Sequence, residues 1–426
     1  MNFELNQYHL QTKHSYMSIR TNQNYMDWNN QPEVFKYYPK EFKKTQLNLD
    51  INNHKFIHFI SGLTAKKTYP GVEYFLRTNP SAGALFPNEI YFQVRAEEGF
   101  EDGIYHYENS SSSCTLLKEI SNDGIESFMG FDTLQNGFIF LISSPYYRSS
   151  WKYKDRAFRY CLLDAGHLIG SIEASAYLFK EHYKIIYDFD KLTLNKMFGF
   201  ENKEFFLAGV HIGTSTQKEV TPLQLQLPFI DATGTFEENA LIEDAYKNTL
   251  LIQNKTKQPL HPTFNFHNEI FEESVLKRRS IRDFTEKSIK KEEFLSIMSV
   301  LNQPITSDCD EEVEIYCVIN RVDNMKTGIY KDEDYTKIGF FHKEAGYLCL
   351  EQILGSQSAV TFFLISKSNN YQAMYQKAGI IGHRLYLAST YLNIGCTGIG
   401  AYYDDEVLEF LNLKDQMVLY AMAIGN

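Results

Sequence analysis

Five consecutive residues in the second half of the chain, Arg278-Arg279-Ser280-Ile281-Arg282, carry three permanent positive charges and a hydroxyl. Planar guanidinium forks with a hydroxyl beside them can fix the oxygens of a phosphate ester through paired, charge-assisted hydrogen bonds. A solvated helix end over Lys277–Arg282 would have the same composition. The downstream residues favour binding: Phe294, Ile297, Met298 and Leu301 recur at helical spacing, so the charges stand at the start of a packed element. Two other segments suit the flat ring of such a ligand. Pro80-Ser81-Ala82-Gly83-Ala84-Leu85-Phe86-Pro87 confines small residues between prolines, so its main-chain N–H and C=O groups can face a polar ring edge. Cys396-Thr397-Gly398-Ile399-Gly400-Ala401-Tyr402 follows a helix, whereas a dinucleotide fingerprint must follow a strand. It reads as a turn that lets main chain approach a flat ring closely, or as a helix C-cap at Gly395 and an ordinary turn.

These segments lie in different halves of the chain, and the halves are a degenerate repeat. Glu89-Ile90-Tyr91 returns as Glu314-Ile315-Tyr316 and Gly103-Ile104-Tyr105 as Gly328-Ile329-Tyr330, both at an offset of 225. The apolar run Phe138–Ser143 (FIFLIS) returns as Thr361–Ser366 (TFFLIS), a buried strand in both places. A long helix comes after each run. Cys161, Ala165, Leu168, Ile172, Ser175 and Phe179 share a face in the first copy, and Met374, Ala378, Ile381, Leu385, Ala388 and Leu392 fill the same slots in the second. Each half closes on a short apolar strand ending in glycine, Val210–Gly213 and Met422–Gly425. Carried through the offset, Pro80–Pro87 corresponds to Ile305–Glu312, where Asp308, Asp310 and Glu311 replace small residues, and Tyr183–Tyr187 replaces the glycine-bearing turn. One of two symmetric sites is therefore expected to be dismantled.

Composition narrows the remaining choices. At 426 residues, 43% of them hydrophobic, the chain can form two domains with proper cores. It has no apolar run long enough for a membrane span, and Met1–Gln11 lacks an apolar signal core, so the expected location is cytoplasmic. A net charge of −11 disfavours binding to nucleic acid or an anionic bilayer and leaves small molecules and peptides as partners. The six cysteines form no CxxC pair, which argues against a zinc site or a disulfide framework; no metal is expected. Expected boundaries are an extended N-terminal segment at 1–55, a first domain at 56–215, a connector at 216–270 with a helix near Glu237–Leu251, and a second domain at 271–426.

Taken together, these motifs resemble the nitroreductase superfamily, and more closely its SagB-type branch, the flavin-dependent azoline dehydrogenases of thiazole/oxazole-modified peptide biosynthesis. The likeness runs over nearly the whole chain. Tyr8-His9 with Thr12-Lys13-His14-Ser15, Trp28 with Pro32 and Phe35-Lys36-Tyr37, PSAGALFPNEIY, and Asp155–Tyr160 through Asp164–His167 are similar to the SagB-type pattern, while RRSIRDF and CTGIGAYYDDE are similar to the general one. The resemblance implies an α+β, three-layer α/β/α fold of two tandem nitroreductase-like FMN-binding domains forming an intramolecular pseudo-dimer, as a monomer or a homo-oligomer of it. It implies one FMN per chain, held by Arg278, Arg279, Ser280, Arg282, Gly398 and Gly400 from one half and Pro80, Ser81, Ala82 and Gly83 from the other. The family's further basic residue near the C-terminus has no counterpart here, and Arg77 or Arg159 is the expected substitute.

From Ser143 to Ala165 the first half carries ten residues more than the second has between Ser366 and Ala378, and Lys152 and Tyr153 lie in that insertion. The pair resembles the one assigned to catalysis in azoline dehydrogenases, although Trp151–Lys154 would also pass for an exposed basic loop. Aromatising an azoline removes a proton from one ring carbon and a hydride from its neighbour, the hydride going to flavin N5. A tyrosine beside an ammonium can serve as the base, and the lysine can stabilise the developing anion. His167 and His383 read as core histidines on apolar helix faces. The expected substrate is a peptide bearing azoline rings, with oxygen as electron sink and a cyclodehydratase complex as a further partner. The alternatives are a flavin oxidoreductase acting on a nitro, quinone or enone compound with NAD(P)H, and a noncatalytic scaffold of a modification complex.

Overall fold

The computed structural model describes residues 6–21, 26–69, 72–256 and 258–426. The chain divides into two compact units. An N-terminal unit comprises Met26–Leu260 with Thr306–Asp310, and a C-terminal unit comprises Met1–Tyr25, His261–Ile305 and Glu311–Asn426.

The leading segment is not extended throughout. It forms helices α1 (Gln7–Gln11) and α2 (Tyr16–Thr21), because the Asn6 side chain accepts the Tyr8 N–H and so starts the first turn ahead of Pro32 and Pro39. In the N-terminal unit come β1 (Lys44–Gln46), α3 (Asn52–Ser61), the hairpin β2 (Leu63–Tyr69) and β3 (Val72–Arg77), β4 (Glu89–Arg95), β5 (Gly103–Glu108), β6 (Ser113–Glu119), β7 (Asp123–Gly124) and β8 (Thr133–Ser144). They are followed by α4 (Tyr147–Tyr153), α5 (Ala157–Phe179), β9 (Tyr183–Ile186), α6 (Lys191–Met197), β10 (Phe205–Glu219), β11 (Thr221–Pro222) and α7 (Ala240–Asn248). The main sheet has the order β1-β6-β5-β4-β8-β10-β9, all its pairs antiparallel.

Alternation along the strands decides what covers each face. Phe138 and Phe140 meet Phe92 on the neighbouring strand and Phe56 of α3, which in turn touches Phe179 of α5. Tyr91, Ile139 and Leu141 point the other way, into a core with Leu194 of α6, Phe198, Phe200, Leu223 and Leu227. Both faces are therefore dry, and the layering is helix, sheet, helix and loop.

The C-terminal unit contains α8 (Asn268–Lys277), α9 (Lys291–Leu301), β12 (Glu314–Ile319), β13 (Gly328–Lys331), β14 (Asp334–Ile338), α10 (His342–Leu348), α11 (Ile353–Gln357), β15 (Val360–Ser366), α12 (Tyr371–Tyr391), β16 (Gly395–Ile399), α13 (Asp404–Phe410) and β17 (Met417–Gly425). Its sheet runs β14-β13-β12-β15-β17-β16. Setting aside β1, each strand of this order has its counterpart in the other unit at the same place, which is the repeat expressed as topology. The stripe Phe294, Ile297, Met298 and Leu301 of α9 is buried, and α12 packs on α8, α9, β16 and β17.

Strand register corrects the repeat in two places. Glu89 pairs with Ser143 and its equivalent Glu314 with Ile365, so FIFLIS matches Val360–Ile365 rather than Thr361–Ser366. A slip of one residue would turn every side chain to the opposite face, so pairing overrides letter identity. The correction also removes one residue from the insertion ahead of α5. Secondly, the strand through Val210–Gly213 does not end at glycine but runs on to Glu219. Gly213 lies opposite Gly137, where a methyl on Gly137 would collide with the Ile212 carbonyl oxygen, so the ladder crosses this point on two bare backbones. Both long strands keep a matching bulge, at Leu207 and at Leu419.

The crossing gives a test. Gly137 has φ +96° and a blocked side-chain position, whereas Gly130 has φ +80° and nothing within 4 Å. Gly130→Ala should cost about 1 kcal/mol of backbone strain, and Gly137→Ala the same strain plus a collision, for a total of roughly 2–4 kcal/mol in denaturant unfolding.

Candidate functional site

In the N-terminal unit the loop after β3 and the helix ahead of α5 build one cluster. The insertion is helical, not an exposed loop: α4 buries Tyr147, Arg148, Ser149, Ser150 and Trp151 and ends at Lys152-Tyr153. The chain then turns sharply at Lys154, whose φ is +49°, into a single 3-10 turn and α5. Trp151 anchors the helix by donating its indole N–H to the Asp27 carbonyl at 2.8 Å, and Tyr153 stacks on Tyr160 with centroids 4.2 Å apart. The Lys152 ammonium lies 5.5 Å from the Tyr153 ring centroid. Both polar heads converge on Gly83. A side-chain carbon there would sit 2.9 Å from Tyr153 Oη and 3.1 Å from Lys152 Nζ, and φ of +65° independently favours glycine.

Two buried polar side chains hold this loop. Asp164 of α5 accepts the Ser81 hydroxyl at 2.5 Å and the Ala82 N–H at 3.3 Å, while Ser81 Oγ in turn accepts the Phe86 N–H at 2.9 Å. The Ser81 hydroxyl is thus engaged within the loop. Arg148, fully buried, reaches the carbonyls of Glu33, Phe86 and Ala232 and pairs with Glu89 at 2.5 Å. Glu89 also meets His106 Nε2 at 2.8 Å, and Arg148 with this neighbour outweighs burial to hold the Glu89 carboxyl well below the usual range. For Asp164 burial prevails and pushes it up to about 7 against the opposing pull of Ser81 and Ala82. Arg77 packs its guanidinium 4.1 Å from the Phe86 ring centroid and is brought down to about 10 by burial.

In the C-terminal unit the expected glycine turn is a strand. α12 ends at a Leu392 cap, with Asn393 in the left-handed region, and Gly395–Ile399 pairs with β17 as an edge strand, because a continuous row of partners from Gly425 to Ala421 is available. Leu392 consequently lies just beyond the helix. The Arg278–Phe284 segment runs along this strand, Ile281 donating its N–H to the Cys396 carbonyl at 2.9 Å. Tyr386 of α12 is the hub: its hydroxyl accepts the Gly398 N–H at 2.7 Å and shares a 2.9 Å hydrogen bond with Ser280 Oγ, while Arg278 lies 5.2 Å from its ring centroid. Arg278 is buried, and burial, followed by the Arg279 charge, lowers it to about 10 against a raising effect of Tyr386; it stays charged at neutral pH. Arg279 turns Nη1 onto the carbonyls of Leu276 and Arg278 at the end of α8, and Arg282 is exposed. A methyl on Gly398 would run into the Tyr420 hydroxyl, so its missing side chain makes room for a ring of the chain itself. Gly400 comes just after the end of this strand.

The structure therefore brings Arg278, Ser280 and Gly398 together in one unit, and Gly83, Lys152 and Tyr153 in the other. Arg159, His167 and His383 are buried in α5 and α12. Tyr386, Tyr420 and Arg148 carry no motif in the sequence. A carboxylate among the apolar positions of α5, which it shares with Glu173, and an arginine one turn before Lys152 are the available signals for Asp164 and Arg148.

Residues 275–426 match the nitroreductase family and make up a nitroreductase-family domain. Putative nitroreductase MJ1384 of Methanocaldococcus jannaschii is 34% identical over 104 residues, a stretch covering 22% of this chain and 50% of that protein, so the chain spans about half of this relative. A crystal structure from Anabaena variabilis ATCC 29413 that also carries a nitroreductase name superposes over 98% of both chains with a TM-score of 0.81 at 24% identity, a likeness of fold. No helix among the described residues is long and apolar enough to cross a membrane.

Two measurements probe the supports. Because the Asp164 pKa lies above its unfolded value near 4, the folded state retains that proton up to about pH 7. Its contribution to stability is present below pH 4, falls as pH rises through the window from about 4 to 7, and is flat above. Asp164→Asn should remove that part of the slope, at most roughly 1.4 kcal/mol per pH unit, in denaturant unfolding at a series of pH values. Tyr386→Phe should cost roughly 1–3 kcal/mol by leaving the Gly398 N–H without its acceptor, a loss visible as faster amide exchange at Gly398.

Proposed function

We propose that the chain is an FMN-dependent oxidoreductase that converts thiazoline or oxazoline rings of a modified peptide into aromatic azoles. The observation that carries this reading is the meeting of Lys152 Nζ and Tyr153 Oη at the side-chain-free face of Gly83. A general base and a positive charge held at one point are what proton removal beside a polar ring requires. In this reading Arg278, Arg279, Ser280 and Arg282 take the FMN phosphate, the main chain at Gly398 and Gly400 lies along the ring, and Pro80, Ser81, Ala82 and Gly83 line its polar edge. The donor set suits this role: Arg278 and Ser280 are already oriented around Tyr386, and the missing side chain of Gly83 makes room for the polar heads of Lys152 and Tyr153.

Two C–H bonds of neighbouring ring carbons break in the reaction. Tyr153 takes the proton from one of them, and Lys152 faces the negative charge that grows on the ring. Bound FMN would supply the acceptor for the hydride leaving the other carbon. Stacking on Tyr160 and burial of Trp151 fix the direction in which Tyr153 points. The peptide's own route to the site, a cyclodehydratase partner and oxygen as final acceptor belong to the same proposal. A second reading, reduction of a nitro or quinone compound with NAD(P)H, draws on the family match of residues 275–426 alone. It has no use for Lys152 and Tyr153.

The test is turnover of an azoline peptide followed by mass, each event losing two hydrogen atoms. Lys152→Ala and Tyr153→Phe should each lower the rate roughly 100-fold or more with bound FMN unchanged. Gly83→Ala should do the same by displacing both heads. Unchanged turnover in the first two variants would defeat the mechanism, while NAD(P)H-dependent nitro reduction insensitive to them would favour the second reading.

A further inference from the structure

We infer that the second copy of the cofactor pocket is closed by the chain itself, that Asp308 is the residue that closes it, and that the protein takes one flavin per chain. The inference rests on the reading of Gly398, Gly400 and Pro80–Gly83 as flavin contacts and extends it to their counterparts.

Sheet register defines those counterparts without reference to side-chain identity. Tyr183 lies opposite Ile212 and Cys396 opposite Ile424, two equivalent positions of the long strands. Ile185 therefore corresponds to Gly398 and Tyr187 to Gly400. The offset that relates Glu89 to Glu314 and Phe92 to Cys317, confirmed by their pairing with Tyr105 and Tyr330, relates Ser81, Ala82 and Gly83 to Thr306, Ser307 and Asp308.

Thr306–Asp310 belongs to the same compact unit as Ile185. The two segments that would face one another across a flavin are joined directly. Ile185 donates its N–H to the Thr306 carbonyl at 2.9 Å, and Asp308 donates its own to the Ile185 carbonyl at 3.1 Å. The Asp308 carboxylate then accepts the N–H groups of Tyr187 at 3.0 Å and Asp188 at 3.0 Å. The opposite edge of the segment is also occupied: Thr256 donates to the Asp308 carbonyl at 2.9 Å, and Asp310 to Asn254 at 3.0 Å. Thr306 and Ser307 are fully buried. Main chains at hydrogen-bond distance leave no gap for an aromatic ring, and the amides that would greet a ligand are satisfied by an anion from the chain.

The other copy differs at just these positions. Gly83 stands where Asp308 does, and the Gly398 N–H goes to the Tyr386 hydroxyl instead of to a neighbouring main chain. The residue that must be side-chain-free in one copy is the residue whose side chain locks the other.

Amide exchange and FMN stoichiometry of the full chain test this together. In wild type the amides of residues 185–188 and 306–308 should be protected, FMN should bind at one per chain, and added FMN should leave that protection unchanged. Asp308→Ala should speed exchange at Tyr187 and Asp188 at least tenfold, with Asp308→Asn intermediate, while FMN remains at one per chain. Arg278→Ala should empty the chain of FMN rather than halve its content. Two FMN per chain, protection of 185–188 induced by FMN, or exchange indifferent to both Asp308 variants would each overturn the inference. A chain that binds no FMN but loses protection on Asp308→Ala would uphold the closure and defeat the flavin reading.

Discussion

Everything proposed for the N-terminal unit depends on a loop held at both ends by buried polar side chains. Asp164 secures Ser81 and Ala82, and Arg148 secures Phe86 through its carbonyl. Between them the backbone enters the left-handed region at Gly83, Ala84 and Phe86, and for the two non-glycine residues that costs of order 1–3 kcal/mol each. Such a path persists only where its surroundings over-determine it. Burying Arg148 and Glu89 together is at best weakly stabilising, because desolvation consumes most of the attraction. What the pair supplies is position: Arg148 stands one helical turn before Lys152, so the contact that fixes the loop also fixes the helix that carries the candidate base.

The C-terminal unit solves a similar problem with neutral groups. Tyr386 meets both Ser280 and the Gly398 main chain, so one hydroxyl sets the arginine segment against the edge strand. Arg278 lies over the same ring, whose face attracts a cation.

Much of this architecture is legible in the chain because burial leaves periodic traces. The repeat, the buried strands and the α9 stripe all follow from spacing, and the motif Arg278–Arg282 announces its charge. Other features leave no local trace. The Cys396–Ile399 segment reads as a turn because glycines commonly mark turns, but an open row of partners on β17 makes it a strand. The one-residue slip in FIFLIS arises because letters repeat where hydrogen-bond partners do not. Tyr386 and Arg148 act across more than fifty residues of sequence, on Ser280 and Glu33 respectively, and no window of the chain contains both ends of either contact.

Gene-internal duplication gives two copies of a fold, and physical chemistry sets how far they can part. A sheet tolerates little: strand order, the bulges at Leu207 and Leu419 and the aromatic or aliphatic faces are retained in both units. The segments beyond the strand ends are freer to diverge, since the pairing of the sheet does not constrain them. At one such end the chain kept glycine and added a helix bearing an ammonium and a phenol. At the other it placed a carboxylate that bonds two main-chain amides. Once that carboxylate is in place, parting the two segments would require breaking a continuous set of backbone hydrogen bonds, so the loss of symmetry stabilises itself.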